Sequence, residues 1–142
     1  GITESGRGDA VSAAAFMKSL GVEPRLILCS PFKRTRETAE TIAANLSYPP
    51  PVQNAPGIMP GSGAEELIRE IKSKTECKND DWVMAVGHEP DISLTLRELL
   101  KDSGDFKIPV DSGSLIGLDI KCSEGRIFGK IIFSFSPLAM RS

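Results

Sequence analysis

Two short apolar runs, each followed by a helical pattern, constrain the fold of this chain more than any other feature. Residues 25–29 read RLILC and residues 82–87 read WVMAVG. Continuous apolar runs of this length are typical of strands buried on both faces of a parallel sheet. Parallel neighbours need crossover connections, and helices usually supply them. The sequence therefore predicts an α/β fold with a mostly parallel sheet flanked by helices.

Four helical patterns accompany these strands. Gly21 stands where the first helix should end, because glycine favours helix C-termini. Ser30 and Pro31 stand where the second should begin, since serine caps helices and proline is tolerated in the first turn. The apolar residues recur every three or four positions in residues 10–20, 35–46, 64–71 and 92–100.

The remaining segments predict an extended connection and a C-terminal hairpin. Five of the ten prolines lie in residues 48–60, which favours an extended link with a short edge strand near Val52. Residues 114–120 and 127–133 have strand-like patterns on either side of a turn at 122–126. We therefore expect residues 1–142 to form a single three-layer domain that ends in an antiparallel hairpin.

Charge and composition exclude several classes of function. The net charge is −2, from 17 basic and 19 acidic residues, so there is no basic footprint for nucleic acid or an anionic membrane. No apolar run approaches the roughly 18–20 residues of a membrane span. The three cysteines form no C-x-x-C pair, which favours a reducing, cytoplasmic location. The single histidine excludes metal sites built from several histidines, and we expect no metal or cofactor.

Two strand ends carry residues suited to binding an anion. Arg34 falls in the first turn of the helix after the first apolar run, and His88 falls in the turn after the second. Ligands of open α/β sheets bind at the carboxyl ends of the strands, where free N–H groups of helices favour phosphate. An arginine fork matches phosphate oxygens, and an imidazole donates or transfers a proton near neutral pH. The residues predict a possible phosphate site.

The same residues are also compatible with purely structural roles. Arg34 would then pair with its helical neighbour Glu37, as surface arginines commonly do. His88 would be a structural hydrogen-bonding residue at a turn, and Glu89 would balance the N-terminus of the following helix rather than serve as an acid. Arg36 is expected on a solvated helix face.

Three segments become more informative when their order and spacing are considered together. Residues 2–7 read ITESGR, residues 30–39 read SPFKRTRETA and residues 86–91 read VGHEPD. They resemble the L-T-x-x-G-R, S-P-x-x-R-A-x-x-T-A and V-G-H-x-P-D motifs of the phosphoglycerate mutase-like histidine phosphatase superfamily. The resemblance is to its small branch of SixA-type phosphohistidine phosphatases in particular, and it spans most of the chain.

The resemblance implies roles for individual residues. In that family two histidines and two arginines surround the transferred phosphoryl group. Arg34 would be the second arginine, clamping the phosphoryl oxygens as charge develops on them, and His88 would be the second histidine. Both would be catalytic and phosphate-binding, with Glu89 beside His88 in the phosphate-binding segment. No metal is implied.

The family's nucleophile lies in an R-H-G motif at the end of a strand that precedes the first helix. Residues 1–142 contain no Arg-His-Gly, and His88 is their only histidine. We expect the R-H-G motif and its central strand to lie upstream of Gly1. The alternatives are a relative that binds phosphohistidine without turnover and a protein in which His88 itself is the nucleophile.

The implied function is removal of phosphoryl groups from histidine-phosphorylated proteins through a phosphohistidine intermediate on the enzyme. The short connection between Arg34 and His88 leaves no room for a large lid domain, which suits a bulky protein substrate. Phosphohistidine is also a good leaving group and needs little general-acid help. The alternatives are a phosphatase or mutase of the same superfamily acting on phosphorylated small molecules, and a non-catalytic module that binds phosphate or phosphoprotein.

Overall fold

The structure, a computed structural model, describes residues 2–74, 82–87 and 91–100, together with two strands at 115–123 and 126–135. In those last two strands it describes side chains only at Leu118 and Asp119. The elements in chain order are α1 (Glu4–Ser19), β1 (Pro24–Cys29), α2 (Lys33–Ala44), β2 (Val52–Asn54), a 3-10 helix (Pro56–Ile58), α3 (Gly63–Lys74), β3 (Trp82–Val86), α4 (Asp91–Leu99), β4 (Leu115–Ser123) and β5 (Arg126–Phe135).

The first three strands form a parallel sheet in the order β2-β1-β3, as the apolar runs predict. The three strands end in register at the carboxyl edge of the sheet, because Cys29 at the end of β1 is the Cα partner of both Asn54 and Val86. The central β1 pairs directly with both neighbours. The strand that the resemblance predicts upstream of Gly1 is not part of residues 1–142. Just beyond the end of β1, Ser30 N still donates to Val86 O of β3 at 3.3 Å.

Alternating side chains of β1 divide the core into two layers. Ile27 and Cys29, both 0% exposed, belong to the cluster formed with α1 and α2. Leu26 and Leu28 belong to the cluster on the opposite face, which includes residues of the 3-10 helix and α3. Successive side chains of a strand point to opposite faces, so a fully apolar strand must be covered on both. The predicted three-layer arrangement is confirmed.

The helix termini follow the predicted signals at α1 but not at α2. Thr3 Oγ1 accepts from Gly6 N at 3.0 Å, and Gly21 adopts a left-handed φ of 71° just after the C-cap of α1. The prediction that Ser30 caps α2 is wrong. The helix begins at Lys33, and its N-cap is Phe32. Ser30 does not cap it because its backbone still pairs with β3.

The predicted C-terminal strands pair antiparallel in a separate two-stranded sheet. Both are longer than their patterns suggest, since paired positions run from Leu115↔Phe135 to Ser123↔Arg126. A register shift between Gly117 and Leu118 interrupts the ladder. None of the helices in the described part of the chain is long and apolar enough to cross a membrane.

Candidate functional site

The strands β1 and β3, which precede the two predicted site segments in the sequence, end at the same edge of the parallel sheet. After β1 the chain enters α2 at Lys33, and β3 ends at Val86, directly before Gly87. Because Cys29 and Val86 are register partners, the two strands end at the same level. His88 and Glu89 lie outside the described residues, so their roles stay predictions. Gly87 and Asp91, which flank them, are described.

Arg34 lies in the first turn of α2 and is exposed. The predicted alternative of an Arg34–Glu37 ion pair does not form. Glu37 instead accepts from Ile2 N at 2.7 Å and lies 3.9 Å from Lys33 Nζ. The Arg34 guanidinium has no hydrogen-bond or ion-pair partner among the described residues. Its fork of N–H donors is therefore open to an anion.

The N-terminus of α2 departs from ordinary helix chemistry. Phe32 at the N-cap makes no side-chain hydrogen bond, and the first turn contains no acidic residue. The turn carries Lys33 and Arg34, although the positive end of a helix favours negative charge. The other three described α-helices have acidic residues in their first turns. A bound anion would balance the local positive charge at the start of α2.

A polar cluster links α2 to the ends of β1 and β2. Arg36 donates from Nη1 to Asn54 Oδ1 at 2.7 Å and from Nε to Glu40 Oε1 at 2.8 Å. The same Asn54 oxygen accepts from Cys29 Sγ at 3.8 Å. Arg36 lies on an exposed helix face as expected, with its side chain 36% exposed, and it also ties α2 to the end of β2. Periodicity could not reveal this cluster, because its members are brought together only by the β1–β2 pairing.

The electrostatics of this cluster make it structural. Burial raises the pKa of the Cys29 thiol, with Arg36 opposing the effect, so the thiol stays protonated and unreactive at neutral pH. The hydrogen bond that Arg36 donates to Glu40 raises the pKa of Arg36, which stays charged. Cys29 is a free cysteine, and the described residues contain no group of three or more side chains suited to a metal ion.

Glu37 joins the start of the chain to α2. The hydrogen bond from Ile2 N lowers the pKa of its carboxyl, and Lys33 adds to the effect. Arg7 donates to Thr41 Oγ1 at 3.4 Å, one turn along the same face. These contacts hold the opening of α1 beside the helix that carries Arg34. Local sequence does not reveal this role, because Glu37 is equally well spaced to pair with Arg34.

Replacing Glu37 by glutamine should lower the free energy of unfolding at neutral pH. It should also make that free energy fall less when the solution is acidified. A carboxyl whose pKa is lower in the folded state stabilises the fold above its unfolded pKa of about 4.3. That contribution disappears as the pH falls through the lower, folded pKa. Urea unfolding at about pH 7 and about pH 3 measures the difference. Glu40→Gln, on the same helix, is the control. The assignment would be contradicted if acidification lowered the free energy of unfolding of Glu37→Gln as much as that of the parent chain.

Asp91 is a buried carboxylate that links the starts of two helices. It is 7% exposed, its Oδ2 accepts from Gly61 N at 2.9 Å, and its Oδ1 accepts from Gly63 N at 3.2 Å. Both glycines have left-handed φ values, 84° and 85°, which favour glycine. Asp91 belongs to the V-G-H-x-P-D-like segment, but that motif does not predict this contact. The signal available was the Gly-Ser-Gly run directly before a helix.

Gly87, directly after β3, occupies a position with little room for a side chain. A Cβ placed there would stand 3.0 Å from Ile58 Cγ2 and 3.1 Å from Ile92 Cδ1. The chain therefore passes close to the 3-10 helix and α4 at Gly87.

Comparison with known proteins agrees with this architecture. Residues 1–59 match the family model of the histidine phosphatase superfamily (branch 1), whereas no curated protein sequence matches the chain. The structure of the protein histidine phosphatase SixA complexed with tungstate has a TM-score of 0.82 at 20% identity, covering 97% of this chain and 85% of that one.

Two other solved structures are similar to this chain in fold. A phosphohistidine phosphatase SixA from Agrobacterium tumefaciens has a TM-score of 0.75 at 22% identity, over 96% of this chain and 83% of that one. Phosphoglycerate mutase from Plasmodium falciparum has a TM-score of 0.56 at 16% identity, over 94% of both chains. The matched N-terminal segment and the shared fold confirm the resemblance of this chain to the histidine phosphatase superfamily.

Proposed function

We propose that this chain forms the phosphoryl-binding site of a phosphohistidine phosphatase that acts on histidine-phosphorylated proteins. One observation carries the proposal: α2 begins without a side-chain cap from Phe32 and without a first-turn acid, and the Arg34 guanidinium there has no partner among the described residues. This helix start lies at the carboxyl edge of a parallel sheet, where such folds bind ligands. A phosphoryl group supplies the negative charge and acceptor oxygens that this helix start lacks.

Arg34 and His88 have different roles in the proposed chemistry. Arg34 holds two phosphoryl oxygens through its guanidinium, and His88 hydrogen-bonds the same group as charge develops on it. A second imidazole attacks phosphorus while the phosphorus–nitrogen bond to the substrate histidine breaks. Water then attacks the enzyme phosphohistidine, which releases phosphate and restores the imidazole. Since His88 is the only histidine of residues 1–142, this mechanism needs the nucleophile from outside them.

Three features support a protein substrate. Two of the similar structures are named as protein histidine or phosphohistidine phosphatases. Between Ala44 and Trp82, the described elements are the short β2, the 3-10 helix and α3. A connection of this length has no room for a large lid domain, and an uncovered site admits a protein-borne phosphohistidine. A cytoplasmic location fits this role, because the buried Cys29 is a free thiol.

A small-molecule activity is the second candidate. The fold is also shared with phosphoglycerate mutase from Plasmodium falciparum over 94% of both chains. Either activity would use the same phosphoryl clamp, so the difference lies in what surrounds the phosphate. A non-catalytic phosphate-binding module is the third candidate, because the same helix start and guanidinium would bind phosphate without turnover.

Competing substrates separate these candidates. We expect the protein with its natural N-terminus to hydrolyse a histidine-phosphorylated phosphotransfer domain with a kcat/KM about 100-fold higher than that for sugar phosphates. That ratio corresponds to about 2.7 kcal/mol of differential transition-state binding. Phosphate release measures both rates. A preference for the sugar phosphates would favour the small-molecule enzyme, and phosphate binding without hydrolysis of either would favour the binding module.

A further inference from the structure

Phe32 is an exposed aromatic residue at the start of α2. Large hydrophobic residues are exposed at five positions in the described part of the chain: Val11, Leu20, Phe32, Tyr48 and Leu94. Phe32, which is 47% exposed, is the one of these within two positions of Arg34. It occupies the N-cap, where serine, threonine, asparagine and aspartate are preferred because their side chains accept from the helix. An aromatic residue therefore stands beside Arg34 at a position where it adds no cap to the helix.

The backbone of Phe32 is held on both sides. Its N–H donates to Ser30 Oγ at 3.4 Å, and its carbonyl accepts from Arg36 N at 2.9 Å. Ser30 is itself 0% exposed, and its own N–H donates to Val86 O of β3. The exposed residue is thus carried by a fixed stretch of chain between β1 and α2. Because an aromatic side chain has few rotatable bonds, it loses little conformational freedom when it binds from such a support.

We propose that Phe32 is a specificity-determining residue that packs against the imidazole ring of the substrate phosphohistidine. This inference rests on the proposed function, in which Arg34 holds the phosphoryl group. In phosphohistidine the imidazole is bonded directly to phosphorus, so a phosphoryl group on Arg34 brings that ring to the start of α2. Aromatic rings attract one another in stacked or edge-to-face arrangements, and the burial of their apolar surface adds to the attraction. A sugar phosphate places a hydroxyl-rich group there and gains less from a phenyl ring.

The charges beside Phe32 favour the same class of substrate. Lys33 has a side chain that is 80% exposed, and its Nζ lies 3.9 Å from Glu37 Oε1. An exposed ion pair of this kind contributes little, so Lys33 can exchange Glu37 for a carboxylate of a docking protein. The start of α2 thus combines an aromatic residue with the cations Lys33 and Arg34. Aromatic residues and arginine are enriched at the centres of protein–protein interfaces. A protein that carries phosphohistidine can contact all three side chains at once.

Replacing the phenyl ring tests the proposal in two settings. In the protein with its natural N-terminus, the readout is kcat/KM for a histidine-phosphorylated phosphotransfer domain divided by kcat/KM for glucose 6-phosphate. In this chain, the readout is the affinity for N-phosphoimidazole divided by the affinity for inorganic phosphate, both from calorimetric titration. We expect Phe32→Ala to lower each ratio about 10-fold. Phe32→Tyr keeps an aromatic ring and should keep both ratios, whereas Phe32→Leu keeps only apolar bulk and should lower them.

Tyr48→Ala is the matched control, because Tyr48 is an exposed aromatic residue beyond the C-terminal end of α2. It should leave both ratios at their parent values. Phe32→Ala is expected to fold, since the residue is only half-buried, and urea unfolding followed by Trp82 fluorescence checks this. A general loosening of α2 would weaken both phosphate ligands alike. Each ratio would then stay unchanged, so such a loosening cannot imitate the expected result.

The outcomes separate this inference from the proposed function. Parent ratios in a folded Phe32→Ala variant would overturn the role of Phe32, even if Arg34→Ala abolishes turnover and phosphate binding. Parent ratios in Phe32→Leu would overturn the packing of ring against ring, and ratios lowered equally by Tyr48→Ala would overturn the assignment to this position. If the parent protein neither binds inorganic phosphate nor hydrolyses either substrate, the proposed function itself fails, and the inference fails with it.

Discussion

Replacing Arg34 by alanine is expected to abolish phosphatase turnover in the protein with its natural N-terminus and to weaken phosphate binding by this chain about 10–100-fold. Solvent screens this exposed guanidinium, so we expect a loss equal to about one charge-assisted hydrogen bond, about 1.5–3 kcal/mol, which corresponds to about 10–100-fold in affinity. No other described residue competes for this guanidinium, so its removal breaks no internal ion pair. Phosphate titration followed by the imidazole C2–H resonance of His88 measures the affinity, and phosphate release measures turnover.

Two further variants sharpen this experiment. Arg34→Lys keeps the positive charge but loses the planar fork, so it should recover only part of the affinity. Arg97→Ala removes an exposed arginine from the last turn of α4, at the opposite end of a helix, and should bind phosphate like the parent. Near-normal turnover in Arg34→Ala would refute the assignment of the phosphoryl clamp to α2.

Replacing Ile27 by alanine should cause the largest loss of stability, about 3–5 kcal/mol of unfolding free energy. Ile27 is 0% exposed at the centre of β1, between its register partners Val52 and Met84. Deleting its side chain leaves a cavity that surrounding strands and helices cannot fill completely. The total free energy of unfolding of a native domain is about 5–15 kcal/mol, so the variant would be close to unfolding. Urea unfolding followed by the fluorescence of Trp82, the only tryptophan, measures the loss.

Val11→Ala is the matched control for this prediction. Val11 is 41% exposed on α1, and its replacement should change the unfolding free energy by less than about 0.5 kcal/mol. An Ile27→Ala variant as stable as Val11→Ala would contradict the central position of β1. Because β1 also ends beside α2, a surviving but loosened Ile27→Ala variant should bind phosphate more weakly as well.

Much of the fold was predictable because it rests on local patterns. The apolar runs of β1 and β3 predict strands covered on both faces, and the core indeed divides at Ile27 and Leu28 onto opposite sides. The helical stripes predict four helices, whose boundaries the structure moves by a few residues. The start of α2 was misjudged because Ser30 is a good cap in isolation, whereas its backbone is still engaged with Val86.

The candidate site was only partly predictable, because its contacts join residues far apart in sequence. Arg34 could be singled out from its motif and its place after a strand. Whether it paired with Glu37 depended on Ile2, which is 35 residues away from Glu37 and takes the carboxylate instead. A local pattern cannot report a competition of this kind.

The sequence by itself determined the α/β class, the parallel strands and the basic start of α2, since periodicity and neighbouring residues carry that information. Only the tertiary structure decided that the Arg34 guanidinium has no partner among the described residues, that Arg36 is tied to Asn54, and that Asp91 accepts from Gly61 and Gly63. Each of these depends on contacts between residues 18 to 35 positions apart in the sequence. Hydrogen bonds at that separation form only after the hydrophobic layers have brought their partners within about 3 Å.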